Sequence, residues 1–386
     1  NWPKSCIFPL KSTPLVNRIH PPVGELGWEY DTFKYLGIQV YHTETDIIEG
    51  NISRALRSMK GSMRFWSSLP LSPMGRVSLC KMLLLPRLLY FFSALPVMLP
   101  KKLFKDIHCM IGELIWGKNR HRIGLAKLHS PMAAGGMGVP NFESYYAAAQ
   151  LQWPTRWLTV PPTPEIACLL HAEEPTRINI YTRLNSRKAT FHNESCLLRT
   201  ARKVWLRSVR GGAGGYPYSP LLPLSFIPNI RKVMHNHDIS EWAEKGIEEI
   251  RDLYLDETLM SFQEVVDTYN IPQAHFIKYT AVRRAILQQW GGSPEEPTVS
   301  PVLQAILSHG DAKRTISCLY TALQTVSTSP LPALRERWDA DLSTPLTDAK
   351  WNQALGHVKK VSRNMRLRFT QINYLHRTYL TPHRIA

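Results

Sequence analysis

The spacing of apolar residues between Ile47 and Trp116 is the feature that most constrains this chain. Apolar side chains recur there at steps of three or four residues, first at Ile52, Leu56, Met59, Met63 and Trp66, and later at Leu103, Ile107, Met110, Ile111, Leu114 and Ile115. Such steps place side chains on one face of an α-helix. Helices with apolar faces must pack against one another, so the spacing predicts a helical unit.

The most apolar stretch, Met82 to Leu99, is interrupted by Pro86, Arg87 and Pro96. An arginine near the centre of a membrane span costs several times what one apolar residue contributes, and a proline kinks a helix. We therefore interpret this stretch as a buried, interrupted helix that begins after Ser72-Pro73, and we expect no membrane association. Ser72 is a favourable cap residue, and proline is tolerated in the first helical turn.

The pattern divides the 386 residues into four segments. Short β-like pieces at Ser5–Leu10 and Phe33–Tyr41, separated by a turn-rich stretch, occupy residues 1–46. Residues 47–160 form the predicted helical unit, and proline and glycine runs mark residues 161–215 as linker-rich. Residues 216–386 are predicted to be a separate helical domain, with helical patterns at Ile239–Tyr254, Leu259–Tyr269, Pro301–Ser308 and Pro345–Tyr374.

The chain is strongly basic, with 47 Lys plus Arg against 30 Asp plus Glu and a formal net charge of +17. This balance favours polyanionic partners, nucleic acid first among them, over acidic small molecules. The hydrophobic fraction of 44% is ordinary for a folded protein, so the charge is expected on a folded surface. Six scattered cysteines without a paired framework favour a reducing, intracellular compartment.

Two basic clusters are candidates for phosphate contacts. The first is a stripe of basic residues spaced three or four positions apart, as on one face of a helix, and consists of Arg54, Arg57, Lys60 and Arg64. A denser cluster follows Trp116, whose ring is a possible stacking surface for a base, and consists of Lys118, Arg120, His121, Arg122 and Lys127. The ordinary alternative for either cluster is a solvated, charged face.

One pattern has zinc-compatible spacing: Cys168-x-x-His171 followed by His192-x-x-x-Cys196. Chance pairs are common in a chain with 14 histidines. We therefore predict no metal site.

Several ordered motifs resemble the reverse transcriptases of non-LTR (LINE-type) retrotransposons. Asn1–Ser5 and Phe33–Ile38 resemble two late motifs of the palm domain in that family. The thumb region is similar in an ordered set that comprises Trp66, Leu71–Val77, Lys81, Leu85-Pro86, Tyr90, Leu95-Pro96 and Ile115-Trp116. Gly135–Pro140 also matches, so the close resemblance covers about the first 150 residues. The end, Tyr374–Pro382, is similar to the segment that precedes a zinc knuckle in LINE proteins of vertebrate type.

The resemblance implies a mainly α fold, in which a short β remnant of a reverse-transcriptase palm precedes a helical thumb and a separate helical C-terminal domain. It implies that Lys4 is a general acid in the parent enzyme. It also implies that Lys34, Tyr35, Leu36 and Gly37 belong to the primer grip, where glycine allows a primer terminus to approach closely. A plain edge strand is the alternative for these four residues.

The family also implies partners, cofactors and location. The expected partners are RNA and DNA, as an RNA–DNA hybrid with a primer terminus, together with the upstream palm and endonuclease domains of the parent. The palm aspartates that hold Mg²⁺ in the family are not in this sequence, so we expect a carboxy-terminal fragment that needs no cofactor and does not polymerise alone. The parent is expected in the nucleus and in a cytoplasmic ribonucleoprotein.

Two other functions fit the same sequence. One is a non-catalytic nucleic-acid-binding protein derived from such an element. The other is a helical interaction scaffold whose charge is incidental. Salt-dependent binding to a hybrid duplex separates the scaffold from the two nucleic-acid hypotheses.

Overall fold

The structure is a computed structural model. It describes residues 5–9, 26–117, 122–158, 184, 194–209, 224, 227, 234–255, 258–290, 300–309, 313–327, 332–342, 344–360 and 362–379. Within these ranges the chain is mainly helical and has short two-stranded sheets. The mainly α class expected from the sequence is confirmed.

The chain forms two compact units. The first combines residues 1–149 with residues 327–386, and the second comprises residues 150–326. This division differs from the predicted one, which kept 216–386 together as one domain. Helical periodicity identifies a helix but not the surface on which it packs, so the sequence did not separate the last helices from those that precede them.

Two small sheets open the first unit. Strand β1 (Cys6–Ile7) pairs in parallel with β2 (Gly27–Trp28), and β3 (Phe33–Tyr35) pairs antiparallel with β4 (Ile38–Val40). The β-like piece predicted at Phe33–Tyr41 is therefore a tight hairpin. The strand Gly27–Trp28 lies in the stretch that the sequence predicted as turns, because a two-residue strand is too short to show an alternating pattern.

The predicted helical unit begins directly after the hairpin. Helix α1 (Glu44–Ile47) continues through a π-helical segment (Ile48–Ser53) into α2 (Arg54–Ser68). Of the apolar positions predicted to face the core, Ile52, Met59 and Met63 are buried, whereas Leu56 and Trp66 are half-buried.

The next helix starts where the sequence predicted. The Ser72 hydroxyl accepts a 3.2 Å hydrogen bond from the Gly75 amide, which caps α3 (Pro73–Leu79). A π-helical segment (Cys80–Leu84) then leads into α4 (Leu85–Ala94), with Pro86 in its first turn. A proline in a continuous helix cannot donate to the preceding turn and collides with it, and the wider π turn accommodates that collision.

The combined helix Pro73–Ala94 is the one helix of the described ranges that is long and apolar enough to cross a membrane. Core helices of water-soluble proteins have the same length and composition. One of its faces is buried, with Cys80, Leu84, Leu88 and Phe92 almost fully enclosed.

Two further helices and the first half of a third complete the first part of this unit. Helix α5 (Lys101–Trp116) ends at Gly117, and the short α6 (Leu125–Leu128) precedes a 3-10 turn (Met132–Ala134). The glycine-rich run after it, Gly135–Pro140, breaks the helical path. Helix α7 (Phe142–Trp157) starts at Asn141, whose Oδ1 accepts a 3.2 Å hydrogen bond from the Ser144 amide.

The second unit is also mainly helical. Its described helices are α8 (Cys196–Ser208), α9 (Asn236–Glu244), α10 (Phe262–Tyr269), α11 (Phe276–Trp290), α12 (Pro301–His309) and α13 (Thr315–Ser327). Two 3-10 turns (Ile250–Leu253 and Gln273–His275) and a hairpin of β5 (Tyr254–Leu255) with β6 (Thr258–Leu259) connect them.

Two details of the second unit differ from the sequence analysis. Helix α8 lies inside the stretch predicted to be linker, with Trp205 fully buried and Arg202 paired to Glu194 at 2.7 Å. The helical pattern predicted for Ile239–Tyr254 ends at Glu244, because Gly246 adopts φ +101°, which a helix does not allow.

Three helices return the chain to the first unit: α14 (Pro332–Leu342), α15 (Asp348–Lys360) and α16 (Met365–Leu375). Helix α16 packs against α3. The ring of Phe369 lies 5.8 Å from that of Trp116, and His376 Nε2 lies 2.7 Å from the carbonyl oxygen of Gly135. These contacts explain why the last residues belong to the first unit.

Candidate nucleic-acid interface

The hairpin of β3 and β4 turns through two residues, Leu36 and Gly37. Both have left-handed backbones, with φ values of +47° and +86°. Two left-handed residues between paired strands form the mirror-image turn whose twist matches that of a hairpin. Glycine adopts this conformation freely, whereas leucine is strained in it. The turn is exposed, and Tyr35 and Leu36 expose 63% and 74% of their surface.

Asn51 attaches the hairpin to the π-helical segment. Its Nδ2 donates to the Gln39 carbonyl at 2.7 Å and to the Ile47 carbonyl at 2.8 Å. Its Oδ1 accepts from the Gln39 amide at 2.8 Å. The Asn51 side chain thus pairs with β4 much as a neighbouring strand would, and it is buried.

Two other contacts hold the hairpin at its ends. The hydroxyl of Tyr90, on α4, donates to the Leu36 carbonyl at the turn. At the other end, the Phe8 ring lies 4.8 Å from Phe33 and stacks on His42 at 4.5 Å. The exposed turn is therefore supported by the body of the unit.

A cavity of about 430 Å³ lies where the hairpin meets the helices. Three exposed cationic side chains line it, and they come from three separate elements: Lys34 from β3, Arg54 from α2 and Arg87 from α4. Gly37, Gln39, Asn51 and Ser58 are among the other residues that line it. The cavity therefore combines positive charge with polar groups.

None of the described residues that line this cavity is acidic. Three like charges at one site repel one another, and an anion bound among them offsets that repulsion. The arrangement therefore suits an anion with several oxygen acceptors, such as a phosphate group. Arginine in particular presents a planar fork of donors that matches phosphate oxygens.

The sequence analysis placed Lys34 and Arg54 among the site residues but missed Arg87, which it used only as an argument against a membrane span. Arg87 could have been identified as the single cation on the exposed face of a largely apolar helix. It lies four residues after Leu83 and three before Tyr90, so the three exposed side chains share one helix face.

The basic stripe of α2 does not lie at one site. Arg54, Arg57, Lys60 and Arg64 are all exposed, as expected for a solvated or ligand-binding face. Arg54 lines the basic cavity, but Arg57 and Lys60 line a different groove, described below. Arg57 also pairs with Glu49, so part of its charge is neutralised.

The second predicted cluster is only partly described. Lys118, Arg120 and His121 lie outside the described residues, as does Lys4. Arg122 and Lys127 are exposed. The prediction that Trp116 is a stacking ring beside them was wrong, because the indole is 7% exposed and packs against Phe369. Trp116 is a core residue.

The zinc-compatible pattern is also only partly described, since Cys168, His171 and His192 lie outside the described residues. Cys196 is exposed, and its Sγ lies 3.3 Å from Arg199 Nη2. Another group, His237, Asp238 and Glu241, brings ligand-type atoms within 4.8 Å of one another. Both oxygens of Asp238 already accept hydrogen bonds, from Lys278 Nζ at 2.7 Å and from the His235 amide at 2.9 Å, which accounts for that carboxylate without a metal.

No protein-family model matches this sequence.

Proposed function

We propose that this chain binds nucleic acid through the phosphate backbone, as the gripping part of a retrotransposon RNA-directed DNA polymerase. In this role the β3–β4 hairpin and the helices around it correspond to the end of the palm and to the thumb. They hold the RNA template and the DNA primer during target-primed reverse transcription, while the parent's palm supplies the metal-binding aspartates.

The observation on which the proposal depends is the convergence of Lys34, Arg54 and Arg87 on one cavity beside the hairpin turn. The net charge of +17 supplies the long-range attraction that brings a polyanion to such a site. The exposed Tyr35 and Leu36 beside the cavity offer apolar contact to the sugar or base at a strand end.

Phosphate contacts position a nucleic acid but do not read its sequence. A site built from Lys and Arg around a cavity therefore favours binding that depends on backbone shape and charge. An RNA–DNA hybrid approaches the A form, whose deep, narrow major groove excludes side chains, so backbone contact is the natural mode of recognition.

The test is a salt titration of binding to a labelled RNA–DNA hybrid, followed by fluorescence anisotropy. We compare the wild type with the triple variant Lys34→Gln, Arg54→Gln, Arg87→Gln. Each lost phosphate contact changes the slope of log K against log salt by about 0.7 to 0.9, so the triple variant is expected to flatten the slope by about 2 to 3.

The matched control carries Lys105→Gln, Lys203→Gln and Arg284→Gln, which remove three exposed cations outside the cavity and leave the same net charge. We expect its slope to change by less than half as much. Equal slopes for the two triple variants would exclude the cavity from the contact surface. Absence of wild-type binding at low salt would leave the interaction scaffold as the better hypothesis.

A second comparison separates a polymerase part from a general nucleic-acid-binding protein. The gripping role predicts tighter binding to a hybrid whose DNA strand ends on a longer RNA than to a hybrid with flush ends. Equal affinity for both would favour the non-catalytic nucleic-acid-binding alternative.

A further inference from the structure

The first unit has a second, larger cavity, a groove of about 960 Å³ between residues 44–60 and helix α5. Its apolar surface includes Ile48, Leu56 and Met98. Two residues of α5, Leu103 and Met110, also line it. Methionine side chains adapt their shape readily and are common on surfaces that receive apolar helices.

One wall of the groove is a continuous face of α5. The lining positions on this helix run from Lys102 to Glu113 at the steps of three and four residues that define one face. That span corresponds to a length of about 16 Å, or about three helical turns. An elongated groove of this kind fits a helix better than a compact small molecule.

The charge of the groove is opposite to that of the chain as a whole. Five acidic side chains line it, Glu44, Asp46, Glu49, Asp106 and Glu113, against three basic ones, Arg57, Lys60 and Lys102. Glu49 pairs with Arg57 within the wall, and α5 contributes two further exposed acids, Asp106 and Glu113, against one base, Lys102. In a chain of net charge +17, this is a surface that repels nucleic acid and attracts cations.

We propose that this groove binds a basic amphipathic helix of a partner protein. Leucine-type side chains on one face of that helix occupy the apolar floor, and its flanking Lys or Arg residues face the acidic side chains, in particular Asp106 and Glu113 of α5. The inference does not depend on the nucleic-acid proposal, because the groove and the basic cavity are separate and have opposite charge.

The probe is a labelled helical peptide of leucine and lysine, with leucines at steps of three and four residues. A second peptide keeps the leucines and replaces every lysine by glutamate. We expect the lysine peptide to bind the full chain with an affinity that falls as salt is raised, and the glutamate peptide not to bind. Equal binding of both peptides would overturn the proposal.

Charge reversal then locates the contact. The double variant Asp106→Lys, Glu113→Lys is expected to lower the affinity for the lysine peptide by about tenfold or more, because two attractions become repulsions at exposed positions. The control Glu336→Lys changes an exposed acid outside the groove and is expected to leave the affinity within about twofold. An unchanged affinity in the double variant would refute the groove as the binding site.

Cys109 provides a readout of position that does not depend on charge, because it lies on the groove and is exposed. Bound lysine peptide should slow alkylation of Cys109, as measured by mass spectrometry, and leave the exposed Cys196 of the second unit unaffected. If the peptide slows alkylation of Cys109 and Cys196 equally, or slows neither, the result would count against docking in the groove.

Two further measurements separate this proposal from others. Hybrid binding should not fall in the Asp106→Lys, Glu113→Lys variant, so its loss would show that the groove belongs to the nucleic-acid surface. If sedimentation shows a wild-type dimer that this variant dissociates, the groove binds a second copy of the chain and the partner-helix proposal is wrong.

Discussion

The side-chain amide of Asn51 forms two hydrogen bonds with the backbone of Gln39, donating to its carbonyl at 2.7 Å and accepting from its amide at 2.8 Å. A single side chain thereby fixes the register of the hairpin against the helical part of the unit. The positions of Lys34 and Gly37 relative to Arg54 depend on this attachment.

We predict that Asn51→Ala lowers the free energy of unfolding by about 2 kcal/mol, because it leaves partly buried backbone groups of Gln39 without their partner. Hybrid affinity should fall as well, although no cation is removed. Chemical denaturation and anisotropy measure the two effects. The control Asn352→Ala, at an exposed helical position, should change stability by less than about 0.5 kcal/mol. Equal stability losses in the two variants would contradict the role of Asn51.

The turn residues Leu36 and Gly37 should respond in opposite directions. Leu36→Asn is expected to stabilise the protein by about 1 kcal/mol, because asparagine tolerates the left-handed backbone better than leucine does. Gly37→Ala is expected to cost about 1 kcal/mol. A Cβ at Gly37 would meet nothing closer than Tyr90 Oη at 3.9 Å, so this cost comes from the backbone and not from a collision. Thermal melts of both variants provide the test, and changes of the same sign would argue against the turn as described.

Trp116 should behave as a core residue and not as a nucleic-acid contact. Trp116→Ala is expected to lower the unfolding free energy by about 3 to 5 kcal/mol, through the cavity left against Phe369. Phe65→Ala removes a 66% exposed ring from α2 and should change stability by less than about 0.5 kcal/mol. A Trp116 variant with wild-type stability but weakened hybrid binding would restore the stacking hypothesis.

The first unit should lose stability as the pH falls below about 6.5. Burial lowers the pKa of His108. Burial also lowers the pKa of His129, and the neighbouring His108, whose ring lies 5.7 Å from that of His129, lowers it further. Burial likewise lowers the pKa of His376. Below the pKa that these histidines have in the unfolded chain, they bind protons more readily when the chain is unfolded. Proton binding therefore stabilises the unfolded state, and the free energy of unfolding falls.

His108→Leu should reduce this loss, since it removes one titrating group from a position where His108 Nε2 is buried and has no hydrogen-bond partner among the described residues. Denaturation at pH 7.5 and at pH 5.5 measures the difference. The exposed His357 supplies the control His357→Leu, which should keep the full pH dependence of the wild type. If His108→Leu keeps it too, the burial of His108 does not contribute.

The sequence predicted those parts of the fold that depend on local spacing. The helices over Ile47–Trp116 and the cap at Ser72 follow from residues within a few positions of one another, and both are present. The hairpin turn was harder to predict, because Leu36-Gly37 is not one of the residue pairs that mark a two-residue turn. The turn depends on hydrogen bonds from residues outside the hairpin, because Tyr90 donates to the Leu36 carbonyl and Asn51 pairs with the backbone of Gln39.

The candidate site was only partly predictable for the same reason. Lys34 and Arg54 stood out in the sequence through a motif and a helical stripe. Arg87 joins them because α4 packs beside the hairpin, and the buried ring of Trp116 packs against Phe369, which comes from a helix near the other end of the sequence. Both facts depend on contacts between residues far apart in the chain.

The first unit is built from two stretches of chain, residues 1–149 and 327–386, with the second unit between them. During synthesis, the surface around Trp116 and Gly135 must therefore wait for α16 to leave the ribosome, and until then it is a place where chaperones or other chains can bind. The entropy of closing a loop grows only slowly with its length, so the intervening unit can be lengthened, shortened or exchanged at modest cost. A change in the length of the intervening unit should therefore have little effect on the closure of the unit that contains the basic cavity.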